Sequence, residues 1–342
     1  MARRLWMVRF AASSLAGLAG IMALSSAATA TTQVGIIDYQ GWKACYELKN
    51  DTTRIVVAPQ LGGRIMEYAI GGQSIIWQNA DLIGQVIEPE EAGGWPNYGG
   101  YKLWNAPQDR WGWPPDPALD SGPVQVRLLG TTGLKIIGTV SGDSGLQFVK
   151  EVYLESDSSR AVISQRLFST VKQDLDWSVW DVTQVKTPGM AALPTNPASP
   201  FPSGLRSFGD YDTADMDQTV SIKDGVAIIS HREGTNLKFG TDAPVGWAAY
   251  TSGSLLYIKR FPGPTKGETY PDEGLNAEVY ISGDMGYVEV EILGPMTYLK
   301  RGGYTSFNEE WLLIPLKEPV STPDAFRIVL AEHQSQLRSY AK

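Results

Sequence analysis

The 342-residue sequence has one cysteine, Cys45, and two histidines, His231 and His333. One cysteine excludes an internal disulfide. Cys45 falls in WKACYELKN, an apolar stretch that suits a small buried hydrophobe better than a reactive thiol. Two histidines leave no basis for a histidine-built zinc site, and a Ser-His-Asp triad would have to use one of them. There is no Gly-rich phosphate loop, HExxH, paired-cysteine spacing or GxSxG, and nothing calls for a metal or another cofactor. Positive charge is also short: the formal net charge is −8, which argues against a nucleic-acid partner or an anionic membrane surface. Repeats, low-complexity runs and charge blocks that would mark a linker are missing.

Long apolar runs are missing too, apart from the N-terminus. Residues 1–30 read as a secretory signal. Arg3, Arg4 and Arg9 form its positive start, an apolar run reaches about Leu24, and Ala28-Thr29-Ala30 is a small-x-small cleavage site. The run is short for a spanning helix. The expectation is a periplasmic or secreted bacterial protein, cleaved near Ala30, with no membrane span afterwards. Residues 31–342 then form a single domain large enough to bury a sizeable core.

What is abundant is tryptophan in one place. Gly93–Pro117 holds Trp95, Trp104, Trp111 and Trp113, four of the eleven in the chain. Its glycines and prolines argue against a helix or a regular central strand. It reads as a long ordered loop, and such loops are usually functional. Indole faces beside Asn97, Lys102, Asn105 and Asp116 suit a carbohydrate ligand, whose apolar ring faces stack while its hydroxyls need donors and acceptors. A tryptophan-rich plug sealing one end of a sandwich is the other reading.

Elsewhere about fourteen short apolar stretches with period two are separated by Gly, Pro, Asn and Asp. This pattern predicts an all-β fold of two large stacked antiparallel sheets. Parity in YVEVEIL puts Val288, Val290 and Ile292 on one face, with Glu289 and Glu291 on the other. In NAEVYI, Asn276, Glu278 and Tyr280 oppose Ala277, Val279 and Ile281. One short C-terminal helix is predicted over 323–340, capped by Thr322 and opened by Pro323. The Pro- and Ser-rich run over 187–211 is read as a connection on the rim of a site.

Taken in order, GGRIMEY, NYGGYKLWNAPQ, WPPDP, IKRF, YPDEGLNAEVY and VEVEILGPMTYLKRGGYTSFNEEWLL resemble a bacterial domain-of-unknown-function family, the one numbered 4380. The resemblance runs from about Cys45 to Leu316. It implies a galactose-mutarotase-like β-supersandwich, whose concave sheet binds carbohydrate in many relatives. It supplies no reaction. The best-known activity of the wider fold is aldose 1-epimerisation, in which a glutamate takes the anomeric proton and a histidine protonates the ring oxygen. This sequence departs from that pattern: it has no NRTNHxYFNL-like motif, so Lys102, Lys259 or Tyr270 would have to serve as the acid.

The resulting expectation is a cleft floored by Arg64, Lys259, Asn276 and Glu278 and walled by Asn97, Lys102, Trp104 and Asp116. If the protein is an enzyme, Glu278 acts as base with Asp272 assisting. Lys259, Lys102 or Arg64 stabilises negative charge on the sugar. The alternatives are a non-catalytic sugar-binding module, a lyase or hydrolase of acidic polysaccharide, and a structural envelope domain.

Overall fold

A computed structural model describes residues 31–87, 94–173, 175–209 and 213–340. The expected secretory signal, residues 1–30, and Gly93 lie outside the described residues. No helix among them is long and apolar enough to cross a membrane.

The chain folds into one 12-stranded and one 10-stranded antiparallel sheet. The middle of the first sheet carries, side by side, Arg64–Ile70, Tyr101–Ala106, Asp176–Lys186, Tyr287–Leu293, Ala277–Ser282 and Asn236–Thr241. The second sheet is centred on Trp247–Ser252, Leu255–Arg260, Tyr304–Pro315 and Ala161–Ser169. Alternation along each strand sends one set of side chains into the space between the sheets. Val288, Val290, Ile292, Ala277, Val279 and Ile281 meet Ile163, Tyr257, Trp311 and Leu313 there. Both parity readings therefore hold, and Glu278, Glu289 and Glu291 lie on the face of the first sheet turned away from the second.

The Trp-rich stretch differs from expectation. Its middle, Tyr101–Ala106, is a fully buried central strand paired with Ser178–Thr183. The prolines and the glycines all fall outside those six residues, so they flank the strand without interrupting it. Gly99, at φ +90°, precedes the strand where a Cβ would lie 2.4 Å from the Trp77 carbonyl oxygen; only glycine permits that approach. The run over 187–211 also hides a central strand, Met190–Pro194, within the second sheet. Pro194 ends it, where a missing N–H does least harm.

The C-terminal helix spans Pro323–Glu332, shorter than its predicted reach, with Thr322 accepting from the Ala325 N–H. Phe326 and Leu330 pack it against Met190, Trp247 and Ile258 on the outer face of the second sheet. His333 ends that helix and pairs with Gln336. His231 follows a strand of the second sheet. Neither histidine is on the first sheet.

Candidate functional site

Strand register on the first sheet lines up three rows of outward side chains. One row runs Lys102, Val182, Glu291, Glu278 and Gly240. A second runs Gln184, Glu289, Tyr280 and Lys238, and a third pairs Trp104 with Trp180. Two cations and three carboxylates meet across the first two rows. Lys102 Nζ is 2.9 Å from Glu289 Oε1, which also accepts from Gln184. Lys238 Nζ lies 2.7 Å from Glu278 Oε2 and 3.1 Å from Glu291 Oε2. The Trp180 indole donates to the same Glu291 oxygen at 2.7 Å. Gly240 leaves room for this arrangement: a Cβ there would sit 3.1 Å from Glu278 Cγ and 2.4 Å from Leu275.

Glu278 is fully buried, and burial pushes its carboxyl up from 4.5 to about 8; Lys238 opposes the shift, and Glu291 and Asp272 add to it. Two carboxylates and one ammonium in low dielectric cannot all be charged at no cost, so a proton is retained. Glu291 shifts upward for the same reason, burial first. Lys238 is held charged: its two carboxylate partners outweigh the burial that would lower it. At neutral pH the group therefore holds a protonated carboxyl beside an ammonium.

Asp272 carries this cluster to the surface. It is half-buried, its carboxyl lies against that of Glu278, and burial raises it despite Lys238 and Arg206. Asp272 and Glu273 have φ +51° and +67°, followed by Gly274 at +107°. Two successive non-glycine residues in the left-handed region cost about 1–3 kcal/mol each, a strain typical of functional turns. The turn faces a cleft of about 440 Å³ lined by Asp109, Arg110, Arg206, Tyr270, Asp272 and Met296, among others. The guanidinium groups there are already engaged. Arg206 donates to the Asp272 carbonyl at 2.7 Å and pairs with Glu273, and Arg110 donates to the Asp176 carbonyl.

The tryptophans adjoin the cluster on the same face. Trp104 packs edge-on against Trp95, Trp111 and Trp180 with centroids 5.2–5.9 Å apart. Lys102 sits over Trp95 and Trp104, and Lys238 over Trp180. Asp120, which the sequence did not single out, joins three partners: Arg64 at 2.7 Å, the Trp104 indole at 2.9 Å and the Trp95 indole at 3.1 Å.

Of the expected floor and wall, Glu278, Lys102, Trp104 and Arg64 share this face, and Asp272, expected to assist Glu278, adjoins them. Several expected roles need correction. Lys259 points the other way, between the sheets, where it pairs with Asp181 and lies 3.4 Å from Glu309. It stands in a strand of the second sheet whose inward side faces Asp181, so it cannot reach a ligand beside Glu278. Trp104 is 5% exposed and enclosed by other indoles, whereas Trp113 is 58% exposed. Arg64 is fully buried and committed to Asp120 and the Gly99 carbonyl. Asp116 caps the short helix Pro117–Asp120, and Asn276 donates to the Ala243 carbonyl at 2.7 Å. Asn97 lies at the other end of the face, near Met285 and Tyr287. Tyr270 lines the cleft, its hydroxyl 3.4 Å from Glu268.

Lys238 was missed, as was the strand Asn236–Thr241 that carries it. Its alternation, LKFGT, is short and interrupted by Gly240. Among the described residues no group of three or more His, Cys, Asp or Glu side chains is arranged to hold a metal ion.

This architecture is similar to that of several solved structures. A protein of Klebsiella pneumoniae subsp. pneumoniae MGH 78578, proposed to be an aldose 1-epimerase, superposes with a TM-score of 0.59 at 12% identity, over 91% of this chain and 88% of that one. A galactose mutarotase-like protein of Clostridium acetobutylicum gives 0.53 at 11%, over 84% and 99%. One of Lactobacillus casei ATCC 334 gives 0.53 at 9%, over 79% and 100%. Identities this low establish the fold alone. Comparison with curated proteins found no significant match. A family model, Domain of unknown function (DUF4380), matches residues 44–314, well over half of the chain. The chain therefore belongs to the DUF4380 family, and its fold is galactose mutarotase-like.

Proposed function

We propose that the protein is exported, binds a carbohydrate in the polar cleft beside Asp272, and transfers protons on it. The observation that carries the reading is the buried Glu278, held protonated near pH 7 and set 2.7 Å from Lys238 behind a strained, cleft-facing Asp272. A carboxyl tuned toward the operating pH in such a setting is the usual state of a catalytic acid. Glu278 is then the proton store, in place of the base role expected from sequence: its proton passes to the Asp272 carboxylate, which lines the cleft and delivers it to the ligand, and Asp272 takes up the proton that the ligand gives back and returns it to Glu278. Lys238, in place of Lys259, balances the charge that develops. A neutral sugar fits better than an acidic one, because Arg110 and Arg206 are spent on backbone carbonyls. The fold supports this reading, since the solved structures that share it include a protein proposed to be an aldose 1-epimerase.

The test has two stages. Mono- and oligosaccharides, neutral and acidic, are titrated against tryptophan fluorescence. Those that bind are then followed by anomeric exchange NMR with wild type, Glu278→Gln and Asp272→Asn. Retained binding with exchange reduced about 10²–10⁴-fold in either variant is expected. Unchanged exchange in both variants would remove Glu278 and Asp272 from the chemistry. Export is tested by sequencing the N-terminus of the protein recovered outside the cytoplasm; a start near Thr31 is expected.

A further inference from the structure

Next to the polar cleft lies a second one, of about 510 Å³, at the edge of the first sheet. Its walls differ in kind. Phe201, Pro202, Leu205, Met216, Val220 and Ile222 line it. Arg206 and Glu273 line both clefts, and their ion pair, 2.9 Å long, forms the divider. Arg206 itself lies over Phe208, with its guanidinium carbon 4.4 Å from the ring centroid. Its aliphatic stem thus offers an apolar surface across the boundary while its charge stays paired.

We propose that these two clefts take one amphiphilic ligand: a sugar bearing an apolar substituent, the sugar in the polar cleft and the substituent against Phe201, Leu205, Met216 and Ile222. A second sugar unit is disfavoured in the apolar cleft because most of its hydroxyls would be desolvated against carbon, with only Ser203 and Ser207 as partners beside the paired Arg206 and Glu273. An alkyl or acyl chain has no such cost and gains about four-fold in affinity per methylene buried. The inference rests on the proposed sugar site, and the rim of Arg206 and Glu273 that both clefts share is what places them side by side.

Alkyl glucosides and galactosides with methyl, butyl and hexyl chains, together with the matching 6-O-alkyl sugars, are titrated calorimetrically against the full chain. The free alcohols serve as controls. Affinity is expected to rise at least ten-fold from methyl to hexyl in one of the two series, and Ile222→Glu should abolish the rise while methyl binding stays within two-fold. Ile222 is 39% exposed, so this substitution leaves folding intact. Methyl compounds that bind with no gain on lengthening overturn the apolar subsite and leave the sugar cleft standing. A chain-length gain that is equal for the free alcohols, and insensitive to Asp272→Asn, overturns the sugar cleft and the link between them. Failure of every compound to bind overturns both.

Discussion

Glu278 owes its raised carboxyl first to burial, with Lys238 opposing the shift and Glu291 and Asp272 adding to it. Its carboxyl rises from 4.5 in the unfolded chain to about 8 in the fold. The folded state therefore binds the proton more tightly, and stability falls as pH rises across that window. Lys238 is raised as well, so its contribution has the same sign but a higher window: it is complete below the unfolded lysine range and does not vary between those limits. Thermal melts of wild type should accordingly fall between pH 5 and 8, and Glu278→Gln should flatten that fall. Turnover by a proton donor should likewise decline above about pH 8. Gly240→Ala offers a second probe at this scale. Its Cβ would press on Leu275 and Glu278, costing about 1–3 kcal/mol in denaturant titration. The pH limit of turnover should move as the Glu278 carboxyl is displaced. Glu278 and Asp272 could be picked from the sequence as dense carboxylates. Lys238 could not, since nothing local marks a lysine as the partner of a glutamate some forty positions away.

At the scale of the element, the tryptophan-rich stretch divides into parts with different duties. Trp104, on the central strand, is enclosed by three indoles and donates to Asp120. Trp104→Ala should cost about 3–5 kcal/mol, read from chemical denaturation. Trp113 stands exposed beyond the strand, 5.1 Å from Trp95. Trp113→Ala should change stability by no more than about 0.5 kcal/mol. If Trp113 stacks on the ligand, the same variant should lose sugar-induced fluorescence quenching; retained quenching would place stacking elsewhere. The composition of Gly93–Pro117 pointed to a loop, because proline and glycine counts average over a window. Tyr101–Ala106 contains neither residue type, and its pairing with Ser178–Thr183 is a long-range fact. Period two did find the strands Ala277–Ser282 and Tyr287–Leu293 and assigned their faces, since a half-apolar strand records its orientation in its own residues.

For the molecule as a whole, the space between the sheets is not purely apolar. Lys259, Asp181, Glu309 and Gln165 meet there, all fully buried. Burial, followed by Asp181, raises Glu309 well above its usual range, so it keeps its proton and the cluster balances one cation with one anion. Lys259→Met should cost about 3–5 kcal/mol in urea titration by stranding Asp181. Adding Asp181→Asn to it should recover much of that loss, because the orphaned charge is removed. Recovery would mark the cluster as a structural pair, separate from the Glu278 face. The sequence by itself determined the all-β class, the two antiparallel sheets and the parity of the central strands, because alternation is a local property. It also determined the carboxylates at hand, and its motifs indicated the family. Only the tertiary structure decided which face each charged group occupies. It put Lys238 rather than Lys259 beside Glu278, buried Trp104 and exposed Trp113, and joined Asp120 to Arg64. Those outcomes depend on which strands become neighbours, and strand order is set by packing the whole chain at once.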